Sequence, residues 1–174
     1  LSLVLNNEKP YALFNTGRKP HREGKMKWVG PMTEDIIYAY ELKSAPTAAT
    51  TLNEAKEFNI CVGNGGNQDY FATQNGFKQI TRNIKDSACF EMLELQRVKL
   101  VISSEFDLKA LLKEVNLSPD LIQKLPFPLY EVQGYIAFTN NIPNNIIQQW
   151  QSVLDQLKAS GKYDQLAREY LLPE

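Results

Sequence analysis

Arg18, Lys19, Arg22, Lys25 and Lys27 crowd the run FNTGRKPHREGKMKWVGPM, which occupies positions 14–32. Apolar residues bracket the run: YALFN (11–15) on one side and a Trp-Val-Gly-Pro turn on the other. A cationic loop fixed at both ends by apolar structure suits the capture of a small anion. Arg18 and Arg22 are four positions apart, so a single helical turn would set them on one face. A guanidinium is a planar fork that holds a carboxylate through two parallel hydrogen bonds. Taken alone, the pair reads as two exposed arginines and the run as a solvated basic surface.

Other positions carry weaker signals. GNGGN (63–67) follows an apolar strand and precedes a helix, a place where backbone N–H groups can face an anion. It is not a dinucleotide fingerprint, because Gln68 stands where the third glycine would be. By itself it reads as a chain reversal. Glu105 lies at the end of VKLVISS, and ligands of open α/β sheets bind beyond the carboxyl ends of strands. Glu105 is therefore a candidate acceptor for a ligand ammonium group, a role compatible with an acidic start to the next helix. Trp28, Tyr38 and Tyr40 can wall a ligand, although aromatics in strands more often belong to the core.

Enzyme chemistry finds little support. His21 is the one histidine, and cations flank it. No metal-ligand cluster, nucleophile elbow or P-loop is present. Carboxylates such as Asp86 and Glu91 are scattered as ordinary surface charge. The expectation is a non-enzyme with no catalytic residues, no metal and no cofactor.

Elements must position these groups. The 174 residues suffice for one domain or two small lobes. With 19 basic and 20 acidic residues the net charge is −1, which argues against a nucleic-acid binder. No apolar run approaches the ~20 residues of a membrane span. Cys61 and Cys89 each read first as a small buried side chain, with a single disulfide between them as the alternative. Strands are expected at YALFN, IIYAYEL (36–42), NICVG (59–63), FKQITRNI, VKLVISS and GYIAFT (134–139). Helices are expected at LNEAKE, QDYFATQNG, DSACFEMLELQ and EFDLKALLKEV. From Asn59 to Val115 strand and helix alternate, the pattern of parallel βαβ units. Near the end, Ile146, Ile147, Trp150, Val153, Leu154 and Leu157 recur at helical spacing, and Gly161 closes the helix. Tyr163, Leu166, Ala167 and Tyr170 form a second, shorter amphipathic helix.

Three stretches, in this order, resemble the bacterial extracellular solute-binding proteins of family 3, the amino-acid-capturing components of ABC importers. RKPHREGKMKWVGPM is similar to the family's T-x-x-R stretch, with its following aromatic and Gly-Pro turn. ELQRVKLVISSEF resembles its L-x-x-G-R-x-D-L strand. GYIAFTNNIPNNIIQQWQSVLDQLKASGKYDQLAREY resembles its closing strand and helix pair, ending in L-K-x-x-G-x-Y. The resemblance implies an α/β, two-lobe periplasmic-binding-protein-like fold, with a hinge and an amino acid held in the cleft. Lobe one would comprise 1–55 and 132–174, lobe two 56–131. Arg22 would grip the ligand carboxylate, assisted by Asn15, Thr16 and Gly17; Gly66 and Asn67 would meet the same group, and Glu105 the ammonium. Arg18 and Trp28 complete the expected ligand set.

The resemblance also implies a periplasmic or extracytoplasmic location and an ABC permease as partner. The family's first strand, helix and second strand have no counterpart before Leu1, so lobe one is expected to be incomplete and to favour a homo-oligomer or another chain that supplies the missing part. Rival readings are a ligand-sensing or accessory domain of a signalling protein, an enzyme subdomain, and a remnant that binds nothing.

Overall fold

A computed structural model describes residues 2–6, 9–18 and 22–170. The chain divides into two units, Leu1–Asp35 with Val132–Glu174, and Ile36–Glu131. Two strands run from one unit into the other: β2 (Lys27–Leu42) and β7 (Tyr130–Phe138).

The first unit contains α1 (Ser2–Asn6), β1 (Ala12–Gly17), the first part of β2, most of β7, α6 (Asn144–Ala159) and α7 (Lys162–Tyr170). Its strands lie in the order β1-β7-β2. Alternation along β7 supplies two cores, because successive side chains leave a strand on opposite faces. Ile136 and Phe138 join Val29 and meet Ile147 and Leu154 of α6. Ala137 joins Val4 and Met26, with Tyr11, Leu13 and Trp28 around them. Val4 of α1 is buried in this way, while Leu1 is outside the described residues. The helical spacing of α6 is as expected, but Val153 is 62% exposed and Trp150 43%. Trp150 meets Phe14 and Phe138 edge-on.

Gly30 and Pro31, expected as a turn, lie inside β2. Helix α6 supplies partners for this irregular stretch. The Gly30 N–H donates to Gln151 Oε1 at 2.9 Å, and Lys158 Nζ donates to the Pro31 carbonyl at 2.7 Å. The Tyr163 hydroxyl of α7 donates to the Met32 carbonyl. These side-chain bonds satisfy backbone groups that a regular ladder would otherwise pair.

The second unit is built on β3 (Asn59–Gly63), β4 (Gln79–Asn83) and β5 (Leu100–Ser104). Both β4 and β5 pair parallel to β3, the βαβ arrangement expected from the alternation. Its helices are α2 (Leu52–Ala55), α3 (Asn67–Gln74), α4 (Ser87–Glu94) and α5 (Leu108–Glu114). The second part of β2 pairs antiparallel with β5 and with the short β6 (Ile122–Lys124). Tyr40 thus stands between Val101 and Lys124. Residues 36–55, expected in the first lobe, group with this unit. Ile37–Tyr40 are laddered to Val101–Ser104, and buried Glu41 accepts from Thr47 and Gln123.

Tyr40, Phe90, Leu93, Val101 and Leu112 form the centre of its core. Cys61 and Cys89 lie within it and are joined by a disulfide. The first expectation, two separate buried thiols, is corrected. Strand β3 and helix α4 pack so that the two Cα atoms are 5.4 Å apart, within bonding reach.

Candidate functional site

In the first unit the cationic run is organised around an irregularity in β1. Leu13 pairs with Ala137, but the next partners are Thr16 and Tyr135, so the register shifts between them. Asn15 takes up the slack at φ 54°, a left-handed conformation that asparagine tolerates better than most residues. Its Oδ1 accepts a 2.7 Å hydrogen bond from the Thr33 hydroxyl. Gly134 makes room for this bond. A Cβ there would lie 1.9 Å from Asn15 Oδ1 and 2.3 Å from Thr33 Oγ1. Thr16 is buried, and its hydroxyl donates to the Leu13 carbonyl at 3.5 Å.

The two arginines have different partners. Arg22 Nη1 donates to the Gly17 carbonyl at 2.8 Å. One arm of the fork is thereby fixed to the end of β1. Arg18 forms a two-point pair with Glu23, Nε–Oε1 at 2.8 Å and Nη2–Oε2 at 3.0 Å. Its guanidinium lies 5.9 Å from the Trp28 ring centre and 5.7 Å from that of Tyr135. The Glu23 hydrogen bond raises the Arg18 pKa, and the same bond holds the Glu23 carboxyl below its ordinary range. Arg18 is therefore anchored by its own neighbour and stacked on aromatic faces. Trp28 packs against the Val4, Met26 and Ala137 cluster, and its Nε1 is buried with no hydrogen-bond partner among the described residues. Lys19 and His21 lie outside the described residues.

In the second unit the carboxyl ends of the parallel strands β3 and β5 fall at the same end of the sheet. The turn after β3 carries Gly66, which caps α3, and Asn67, its first residue. The turn's N–H groups face inward. Asn64 donates to the Asn83 carbonyl at 2.8 Å, and Gly66 to the Gly63 carbonyl at 3.4 Å. Gly65 donates to Asp69 Oδ2 at 3.0 Å. The anion held by this glycine turn is the chain's own Asp69, which sequence reasoning missed. Arg82 Nε completes the arrangement at 2.8 Å from Asp69 Oδ1. The Gly65 N–H, followed by Arg82, keeps the Asp69 carboxyl below the usual aspartate range. An acidic residue in the first turn after a Gly-Gly cap was the available signal.

Glu105 follows β5, and its N–H donates to the Ile36 carbonyl at 3.0 Å. Its carboxylate accepts from Lys124 Nζ at 2.6 Å. Lys124 also lies 4.2 Å from the Tyr38 ring centre. Its pKa is raised, first by the bond to Glu105. Tyr40, beside it, is a buried core residue. Among the described residues no three His, Cys, Asp or Glu stand together as metal ligands would.

Neither a family model nor a curated protein sequence matches the chain. Solved structures do. The GluR0 ligand-binding core in complex with L-glutamate superposes with a TM-score of 0.80 at 15% identity, over 98% of this chain and 76% of that one. A histidine kinase sensor domain with similarity to periplasmic binding proteins gives 0.78 at 12%, over 98% and 73%. A P235GK mutant of ArgBP from T. maritima gives 0.72 at 18%, over 90% and 66%. The chain has the two-lobe periplasmic-binding-protein-like fold. It spans 66% to 76% of the length of these three structures. No helix among the described residues is long and apolar enough to cross a membrane.

Proposed function

We propose that this chain captures a small zwitterionic ligand, an amino acid, outside the cytoplasm and hands it unchanged to an ABC permease. The observation that carries the reading is the anchored Arg22. One arm of its guanidinium is tied to the Gly17 carbonyl at 2.8 Å, beside the Asn15–Thr33 bond that Gly134 permits. An arginine held in place by backbone presents its fork with less ordering entropy to lose on binding a carboxylate. Asn15, Thr16 and Gly17 are proposed to assist Arg22 at the ligand carboxylate, and Glu105 is proposed as an acceptor for its ammonium. The Cys61–Cys89 disulfide suits an oxidising, extracytoplasmic compartment. A fold shared with the GluR0 core bound to L-glutamate supports the same class of ligand.

A second reading, ligand sensing for a signalling partner, is supported by the fold shared with a histidine kinase sensor domain. Both readings require binding. A thermal-shift screen of the L-amino acids, followed by isothermal titration, tests them together. One or a few amino acids should raise the melting temperature, and Arg22→Ala should abolish the shift. A flat screen would leave the non-binding reading in possession. A permease gene beside this one supports import, and a membrane kinase continuous with the chain supports sensing.

A further inference from the structure

Lys124 ends β6, and the ladder with β2 sets it directly opposite Tyr40. Its backbone is held on both sides. Ile122 and Leu125 are buried, and the Leu125 N–H donates to the Ala39 carbonyl at 2.9 Å. From this fixed base the ammonium reaches Glu105 Oε1 at 2.6 Å and rests 4.2 Å from the Tyr38 ring centre. Tyr38 is the diagonal neighbour of Lys124 on the paired strands, within reach of a long side chain. A carboxylate beside an aromatic face is the chemistry that holds an ammonium group. Glu105 comes directly after the carboxyl end of β5, the end at which α/β sheets receive ligands.

We propose that Lys124 is a resident competitor, its ammonium filling the place on Glu105 and Tyr38 that a ligand ammonium would take. The inference rests on the amino-acid-binding reading above and deepens it. An ammonium-bearing ligand must displace Lys124, whereas a carboxylic acid without the ammonium leaves the pair intact. Lys124 therefore sets both the affinity for amino acids and the margin by which they are preferred over their deaminated analogues. The displacement is feasible because the pair is half-open to solvent, with side-chain exposures of 46% for Lys124 and 40% for Glu105. Exposed ion pairs are weak, so Lys124 acts as a threshold and not as a block.

Isothermal titration of the full chain tests this. Wild type, Lys124→Met, Lys124→Arg and Arg22→Ala are each titrated with the L-amino acids and with the matching 2-oxo acids. Lys124→Met keeps the aliphatic stem and removes the charge; Lys124→Gln replaces it if the Met variant fails to fold. Removing the charge should tighten amino-acid binding by about 3- to 30-fold. The 2-oxo acid affinity should not move, and Lys124→Arg should behave as wild type. Equal amino-acid affinity in wild type and Lys124→Met overturns the inference, as does an equal gain for the 2-oxo acid. If those results come with binding that Arg22→Ala abolishes, the amino-acid-binding reading survives. Binding that is indifferent to Arg22→Ala, or no binding by any variant, removes that reading and the inference together.

Discussion

The Arg22 guanidinium and the Gly17 carbonyl form a 2.8 Å hydrogen bond across the cationic loop. The bond fixes the direction of the fork before any ligand arrives. Arg22→Ala should therefore weaken binding by roughly 2–5 kcal/mol, the cost of removing one partner of a desolvated charge pair. Arg22→Lys restores charge without the planar fork and should recover only part of this loss. Isothermal titration reads both. Unchanged affinity in the Ala variant would move the site away from this loop.

Gly134→Ala offers a test that leaves every charged group in place. The new Cβ would lie 1.9 Å from Asn15 Oδ1 and 2.3 Å from Thr33 Oγ1, so the bond between them must open. Overpacking of this kind costs about 1–3 kcal/mol. Denaturant unfolding should show that loss, and ligand affinity should fall with it. A destabilised variant with wild-type affinity would separate the Asn15 irregularity from binding.

Asp69 should contribute to stability in a pH-dependent way. Its folded pKa is lowered, chiefly by the Gly65 N–H and then by Arg82. A carboxyl depressed on folding stabilises above its unfolded value of about 3.9, and the contribution is lost as pH falls through the folded value. Asp69→Asn should cost about 1–3 kcal/mol at neutral pH. The gap between variant and wild type should then narrow below about pH 4. A gap that stays constant from pH 7 to pH 3 would assign the loss to packing instead.

Reducing the Cys61–Cys89 bond should destabilise the chain. The two residues are 28 positions apart. Loop-closure entropy for a crosslink of that span gives about 3–4 kcal/mol. Urea unfolding with and without dithiothreitol measures it. Equal midpoints would show that the core holds β3 and α4 together without the crosslink.

Much of the fold was legible because burial wrote it into short apolar runs. NICVG and VKLVISS are inner strands, with Ile60, Cys61, Val62 and Leu100 to Ser104 buried on both faces, and such strands carry little polar alternation. The long helix α6 announced itself by its spacing. The first part of β2 was hidden, because Gly30, Pro31, Thr33 and Glu34 look like loop residues. The backbone partners of Gly30 and Pro31 come from Gln151 and Lys158, far along the chain. The disulfide was hidden for a similar reason, since spacing does not report how closely two Cβ atoms approach. In the candidate site, Arg22 and Glu105 were visible as charges bordering strands. Their partners were not. Glu105 meets Lys124 only through the pairing of β6 with β2, a long-range register that no local pattern encodes.

The second unit is one unbroken segment, and the first is assembled from the two ends of the chain. This division has a kinetic consequence. Ile36–Glu131 can gather its core from contacts that close comparatively short loops. The first unit must wait until the whole intervening segment has brought β1 and β7 together, a more costly closure. Protection of amides in β3 and β5 should precede protection in β1 during refolding, with pulsed hydrogen exchange as the clock. The loop that carries Arg22 hangs on the later strand. Its geometry is then among the last features to form, on a lobe whose partner has already set.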